Sequence, residues 1–466
     1  MHCSGHGSSA RRHPARGPTT PAPKYSTSPP RTPEGALFPA QDPCRRTAAH
    51  APAAFSPAFP ENWARKIENV RYISWAATSR ERSPPMDRTF DDSAPTTGAA
   101  PAPPVHRLFA HLPRADQRRW AEVYVKGLLT TPGKKSLRRM AASVTPSPTA
   151  SQSLQQFVNV SPWEWRPVRA ELTRWVAGHT PVRAWTVAPV VIPKRGSLAA
   201  GVHRRFVPGL GRTVNCQLAL GAFLTSGLGD VSVDWQLYLP REWTADSRLR
   251  EQARIPGSTG YTDAPGLCLA LLDRLARTTI RRAPVVIDPE GHLDAEALIE
   301  GLEARGHDWI VAVPDTLRLA LAPDESAALR PPLETVRTLV RRHASPRTAA
   351  RTEGDSPRLG ALSTLVPLPG GDRPCLLVGE WTSSSVRPDR TWLTNLHPDR
   401  HFQAGALIAE RAAARAGAAE TELGLHDFAG RSYAGWHRHA TLVSAASAQR
   451  RLGHGGCPHI PYRTAP

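Results

Sequence analysis

The sequence predicts an α/β protein in which a small helical domain precedes a mixed sheet with flanking helices. Between His106 and Gly178, apolar residues recur at the i, i+3, i+4 spacing that is typical of helices. After Pro181, short apolar runs alternate with glycine-containing turns, which indicates strands. Between Ala264 and Val313, helical patterns alternate with two apolar strands, an order that favours parallel pairing under covering helices.

The first segment of the chain, residues 1–104, predicts a disordered tail. It is rich in proline, serine, threonine and arginine and shows little sustained periodicity, so it cannot bury enough apolar surface to fold. Met86 lies shortly before the first folded-looking segment and is an alternative start of translation. A second disordered tail is predicted for residues 453–466.

Four helices are predicted in the helical domain, residues 105–180. The fourth has the clearest entry signal, because Ser161 and Glu164 have the spacing of a capping box and Pro162 would occupy the first helical position. The four predicted segments are Pro113–Leu129, Lys134–Val144, Leu154–Val158 and a helix from Pro162 to Gly178.

The sheet domain is predicted over residues 181–452, with a strand-rich insertion at about 317–396. Near the end of this domain, two helices are predicted, one over Gln403–Glu422 and another over His439–Leu452. The predicted strands and remaining helices are Ala184–Ile192, Gly201–Phe206, Asn215–Leu224, Val231–Leu239, helix Ala264–Arg277, Pro284–Asp288, helix Asp294–Arg305, Trp309–Val313, Leu359–Leu368, Pro374–Trp381 and Thr391–Leu396.

Composition narrows the class of protein. The chain has 466 residues with 59 Lys+Arg against 40 Asp+Glu, and this formal charge of +19 favours a polyanionic partner such as nucleic acid. No apolar run approaches the roughly 18 residues that cross a bilayer, so no membrane partner is expected. The six cysteines are scattered without a C-x-x-C pair, which favours the cytoplasm over an oxidising compartment.

Several collinear blocks resemble bacterial insertion-sequence transposases of the DDE class. The resemblance covers roughly residues 106–450. The blocks are Lys194-Arg195-Gly196, Gly201-Val202, Arg205-Phe206, Gly209, Gly211, Asn215-Cys216-Gln217, Leu237-Tyr238-Leu239-Pro240-Arg241-Glu242-Trp243, Val285-Val286-Ile287-Asp288, Glu422-Leu423-Gly424-Leu425 and Gly430-Arg431-Ser432-Tyr433-Ala434-Gly435-Trp436-His437-Arg438-His439.

The resemblance implies a ribonuclease-H-like fold that cuts and joins DNA with two Mg²⁺ ions. In that family the metals are held by an Asp on the first strand, an Asp ending a later strand and a Glu on the final helix. Such ions take hard oxygen ligands, and two of them lie about 4 Å apart during strand transfer. The partner implied is DNA, and a homo-oligomer is a further expectation.

Only one of the three acids has a clear match here. Asp288 ends an apolar strand and matches the second acid, whereas the first falls at Ala188 or Pro189. The third falls at Ala413, within a family pattern Arg-x3-Glu-x6-Lys whose positions are Ala409, Ala413 and Glu420 in this chain. A slip of a few residues would instead promote Glu410, Glu420 or Glu422.

One carboxylate cannot hold two metals, so we expect a degenerate transposase that binds no Mg²⁺ and does not cut DNA. Asp288 would then be a structural remnant or a helix N-cap. Two alternatives stay open at this point: an active Mg²⁺-dependent transposase with displaced acids, and a domesticated DNA-binding regulator that pairs with active relatives.

Two basic clusters are candidates for DNA contact. Basic residues concentrated on one short segment are typical of phosphate contacts. The first cluster lies in the helical domain and the second flanks the sheet edge where the family presents DNA. Their members are Arg118, Arg119, Lys134, Lys135, Arg138 and Arg139, and then Lys194, Arg195, Arg204 and Arg205. His437 and His439 fit no standard metal spacing and are expected to pack or to contact DNA.

Overall fold

The computed structural model describes residues 105–279, 282–320, 333–343, 358–364, 374–381, 387–413 and 415–453. The predicted N-terminal tail, the alternative start at Met86 and almost all of the predicted C-terminal tail lie outside the described residues. So does half of the predicted insertion.

The described chain begins with a group of helices. Helix α1 spans Ala115–Thr130, α2 spans Leu137–Val144, α3 spans Ala150–Asn159 and α4 spans Trp165–His179. Each buries one apolar face, as the periodicity predicts, with Tyr124, Met140, Leu154 and Leu172 all within the core.

The predicted capping box at the start of α4 is wrong. The helix begins at Trp165, and the Ser161 hydroxyl accepts a hydrogen bond from Gln117 Nε2 at 2.9 Å rather than capping the helix. The physical reason is the neighbouring Trp163, which is 1% exposed, stacks on Phe157 and donates its indole N–H to the Phe157 carbonyl. Burial of this indole keeps residues 162–164 out of the helix, which begins after Glu164.

A nine-stranded mixed sheet forms the centre of the molecule. Its strands are β1 (Ala184–Pro193), β2 (His203–Val207), β3 (Arg212–Ser226), β4 (Gly229–Leu237), β5 (Val285–Ile287), β6 (Trp309–Val313), β9 (Arg358–Thr364), β10 (Leu376–Trp381) and β11 (Arg390–Thr394). The strand order is β2-β3-β1-β5-β6-β11-β10-β9. β4 pairs with the C-terminal half of β3, from Ala219 to Ser226. β1, β5 and β6 are parallel, and the other pairs are antiparallel.

Strands predicted within the insertion extend this sheet. β11 pairs antiparallel with β6, and β10 and β9 follow it outward. A small two-stranded sheet, made of β7 (Arg318–Ala320) and β8 (Leu333–Thr335), is separate from the large one. The predicted α/β class with a central mixed sheet and flanking helices is confirmed.

The remaining helices cover the sheet and its edges. The predicted helix over Gln403–Glu422 is wrong as a single element: it divides into two, and Gly417 adopts φ +78° at the start of the second. The last helix begins at Tyr433 rather than His439, because Ser432 caps it. These elements are α5 (Arg241–Ala245), α6 (Ser247–Ala253), α7 (Ala264–Thr278), α8 (Ala295–Glu303), α9 (Val336–His343), α10 (His401–Ala413), α11 (Ala418–Glu422) and α12 (Tyr433–Leu452).

Helix α12 joins the N-terminal helices to the sheet. Both of its histidines are 1% exposed, so they pack inside the protein. His439 accepts from the Tyr124 hydroxyl at 2.9 Å, and its other ring nitrogen donates to the Gly424 carbonyl at 3.0 Å. Burial lowers the pKa of His439 to about 4, so the ring is neutral at pH 7 and donates and accepts one bond each.

A buried arginine completes this junction. Arg169 of α4 is 4% exposed, and its guanidinium donates to Asp234 on β4 at 2.9 Å. It also donates to the Trp235 carbonyl, to Thr441 and to the His437 carbonyl at 2.6–2.8 Å. Burial lowers the pKa of Arg169 to about 10, which leaves it charged at neutral pH. The helices and the sheet are therefore held together by a charged group that bonds to both β4 and α12.

Candidate active site

The candidate site lies where the parallel strands β1 and β5 run side by side. Val187 on β1 pairs with Ile287 on β5, so the residues that follow them, Ala188 and Asp288, lie at the same level of the sheet. Both are buried, at 1% and 4% exposure. The position expected for the first acid is thus adjacent to the matched second acid, and a methyl group occupies it.

Asp288 already has partners for both oxygens. One accepts from the Glu290 backbone N–H at 3.1 Å, and the other forms an ion pair with Arg390 on β11. The Asp288 side chain is 5% exposed, whereas Arg390 is 41% exposed. The cation that balances this buried carboxylate is supplied by the protein itself.

Asp288 does not cap a helix. The following helix, α8, begins at Ala295 and is capped by Asp294, whose carboxylate accepts from the backbone N–H groups of Glu296 and Ala297. Residues Glu290 and Gly291 both have positive φ, at 48° and 70°. The chain therefore turns sharply after Asp288 instead of entering a helix, and the N-cap alternative is wrong.

Two further acids lie near Asp288, and sequence reasoning did not select either of them as a ligand. Burial raises the pKa of Glu290, and the charge of Asp288 raises it further. Glu380 on β10 is 3% exposed and accepts from the Trp392 indole at 2.6 Å, and burial raises its pKa as well. Glu290 is visible in the sequence two residues after Asp288, whereas Glu380 comes close only through the order of strands in the sheet.

Arginines balance these acids. Besides Arg390, the charges of Arg411 and Arg415 act on Glu290, and Arg415 lies 3.9 Å from it. Arg411 is buried and lies 3.4 Å from Asp230 at the start of β4. The site is therefore a mixed cluster of carboxylates and guanidiniums, unlike a site that collects negative oxygens for a cation.

The predicted third-acid position lies at the end of α10, at Ala413. Earlier on this helix, Glu410 pairs with Arg183 just before β1, and further along the chain Gly417 approaches Val190 on β1. The Ala413 side chain itself lies outside the described part of the protein.

The three alternative third acids are engaged elsewhere. Glu410 forms the ion pair with Arg183, and Glu420 is 1% exposed and accepts from Ser447 at 2.7 Å. Glu422 is exposed and lies 3.4 Å from Arg450. Within the described part of the chain, no group of three His, Cys, Asp or Glu side chains is placed to hold a metal ion.

The donor set around Asp288 does not fit a pair of magnesium ions. Each ion needs several hard oxygen ligands, and carboxylates must offset the cost of its dehydration. Here Ala188 supplies none, and Asp288 accepts from Arg390 and from the Glu290 N–H. No catalytic step through such ions can be derived from these residues.

The predicted DNA-contact residues divide into exposed and engaged groups. Lys135 is buried, with its ammonium bonded to the Thr131 carbonyl, and Lys194 donates to the Phe428 carbonyl at 2.9 Å. Burial lowers the pKa of both lysines. Arg205 donates to the His292 carbonyl at 2.7 Å, and Arg118 to the Leu112 carbonyl at 2.6 Å. The exposed group is Arg119, Lys134, Arg138, Arg139, Arg195 and Arg204, and of these Arg139 also donates to the Pro132 carbonyl at 2.8 Å.

A family model agrees with this architecture. The model described as DDE superfamily endonuclease matches residues 107–358, which is more than half of the chain. The chain belongs to the DDE superfamily endonucleases. The match covers the N-terminal helices, β1 to β8 and Asp288, and it ends before β10, β11 and the last three helices. A search of curated proteins finds no match to this chain.

The family places the chain among transposase-like proteins, and its members act on DNA with Mg²⁺. Among the helices of the described ranges, none combines the length and apolar character needed to span a bilayer.

Proposed function

We propose that this protein is a DNA-binding descendant of a DDE transposase that no longer cleaves DNA. The proposal depends on one observation above all: the buried Asp288 carboxylate is paired with Arg390 and lies level with Ala188 instead of a second acid. Its ancestral reaction would be the cut-and-paste strand cleavage and transfer of an insertion sequence. Transposon ends are the DNA that such a protein would bind.

The charge distribution supports continued DNA binding. Lys134, Arg138 and Arg139 are exposed near the start of α2. Exposed guanidiniums and ammoniums at such a position can neutralise phosphates and release condensed counterions. The net charge of +19 adds a long-range attraction to any nucleic acid.

We expect the double variant Arg138→Ala/Arg139→Ala to weaken binding to duplex DNA and to flatten its dependence on salt. Removing one phosphate contact should reduce the slope of log K against log salt by about 0.9, so removing two should reduce it by nearly two. The measurement is a salt titration of binding by fluorescence anisotropy.

The matched control is Arg337→Ala/Arg342→Ala, which removes the same charge from exposed positions on α9. Its slope should stay that of the wild type. Equal slopes for all three proteins would remove the α2 cluster from the proposed DNA surface. Absence of salt-dependent binding by the wild type would refute DNA binding altogether.

A further inference from the structure

The hairpin of β2 and β3 carries an exposed aromatic side chain among arginines. Phe206 on β2 is 57% exposed, and Leu210 at the tip of the hairpin is 52% exposed. Arg204 lies two residues before Phe206, so both side chains are on the same face of the strand, and Arg204 is also exposed. Exposed apolar surface with a charged rim is typical of an interaction site.

The rest of this face is polar or basic. Thr213 and Asn215 on β3 pair with Phe206 and Arg204 and therefore share their face. The Asn215 amide donates to the carbonyls of Lys194 and Gly196 at 2.9 and 3.0 Å, which holds the exposed Arg195 beside this face. The hairpin face therefore presents the aromatic ring of Phe206 and the guanidinium of Arg204 on the same strand. The guanidinium of Arg195 lies nearby.

The opposite side of the hairpin is attached to the turn that carries Asp288. Arg205 donates to the carbonyl of His292 at 2.7 Å and to its ring at 3.2 Å. Pro208 packs so closely on Gly291 that a Cβ there would lie 2.8 Å from the proline ring. The hairpin and the Asp288 turn thus form one packed unit, and the face that carries Phe206 and Arg204 is the side of the hairpin that points away from this turn.

We propose that the hairpin face, made of Arg195, Arg204, Phe206 and Thr213, binds DNA that has unpaired bases. Phe206 stacks on an exposed base while Arg204 and Arg195 contact the flanking phosphates. A flat ring beside cations suits the recognition of single strands, because every base has a π-face and every phosphate linkage carries a charge. A continuous duplex hides its base faces, so the ring has nothing to stack on there.

This inference depends on the proposed DNA binding but makes a separate prediction. We expect Phe206→Ala to weaken binding to a duplex with a short single-stranded overhang about tenfold, and to leave a blunt duplex of the same sequence within about twofold of wild type. Phe206→Tyr, which keeps the ring, should restore the overhang affinity. Leu228→Ala, which truncates a side chain of similar exposure in the β3–β4 turn, should change neither.

The outcomes distinguish the two proposals. If the wild type binds blunt duplex with a steep salt dependence but Phe206→Ala leaves the overhang affinity unchanged, the hairpin proposal is wrong and DNA binding stands. If the wild type binds neither DNA, both are wrong. If Phe206→Ala instead converts a dimer to a monomer in sedimentation and leaves DNA affinity unchanged, the face is a protein interface and the hairpin proposal is wrong.

Discussion

Arg169→Met should destabilise the protein by about 3–5 kcal/mol, because it removes a buried cation whose partners stay behind. The change removes the guanidinium donors of the Trp235 carbonyl, the His437 carbonyl and the Thr441 hydroxyl, and of these the His437 carbonyl keeps a bond from the Thr441 hydroxyl. It also leaves Asp234, on a buried strand, with Arg274 as its remaining arginine partner. Urea unfolding monitored by tryptophan fluorescence measures the loss.

Arg174→Met is the control for this prediction. Arg174 lies farther along α4, is 52% exposed and pairs with Glu171, so the variant makes the same chemical change where water can replace the ion pair. We expect it to cost less than about 1 kcal/mol. Similar losses for both variants would mean that the buried junction contributes little to holding the N-terminal helices on the sheet.

Arg390→Ala should destabilise the protein by about 2 kcal/mol, less than a fully buried pair would because Arg390 itself is 41% exposed. The loss comes from Asp288, which is 5% exposed and would be left with the Glu290 N–H as its remaining hydrogen bond. Adding Asp288→Asn to the variant should recover part of the loss in urea unfolding, because a neutral amide needs no cation.

Arg305→Ala provides the comparison. Arg305 pairs with Asp273 between α7 and α8, and both side chains are about one-third exposed. Its loss should cost less than about 1 kcal/mol. If Arg390→Ala cost no more unfolding free energy than Arg305→Ala, Arg390 would not be needed to offset the charge of Asp288. The same conclusion would follow if Asp288→Asn destabilised the Arg390→Ala variant further.

Much of the fold follows from local patterns. Trp309–Val313 occupies the predicted strand residue for residue, and β1 differs from its prediction by one residue. These strands are predicted correctly because continuous apolar runs of this length have no competing helical period. The capping box fails because burial of Trp163 outweighs a cap worth about 1 kcal/mol. That burial depends on tertiary packing, which a local motif does not contain.

Strand order is harder to predict than strand position. Nothing in the sequence of β11 says that it pairs with β6, yet this pairing extends the sheet and places Arg390 beside Asp288. The same order brings Glu380 close enough for its charge to interact with that of Asp288, although the two are far apart in the sequence. Neither neighbour of the carboxylate could be found from spacing, because the sheet brings them together and no motif does.

One relation within the candidate site follows from the pairing of neighbouring parallel strands. The family spacing puts the first acid at Ala188 or Pro189, and the register of β1 against β5 sets Ala188 level with Asp288. For the predicted DNA contacts, sequence could identify basic residues but not their neighbours. Lys135, Lys194 and Arg205 bond to carbonyls of the protein, whereas Arg138, Arg195 and Arg204 are exposed.

In the function that we propose, the balance of charge around Asp288 is what separates this chain from a catalytic DDE site. Such a site gathers carboxylates to hold divalent cations. Around Asp288 this chain instead brings the acids Glu290 and Glu380 together with Arg390, Arg411 and Arg415. Bringing two divalent ions into such a cluster would add positive charge to a group that the protein has already balanced.

Strand cleavage of supercoiled plasmid and of candidate terminal repeats, with Mg²⁺ or Mn²⁺, tests that difference most directly. Wild-type protein and Asp288→Ala should give the same background, with no nicking that depends on the metal. Metal-dependent cleavage by the wild type that Asp288→Ala abolishes would contradict the account and would show that acids at positions other than Ala188 and Ala413 complete an active site.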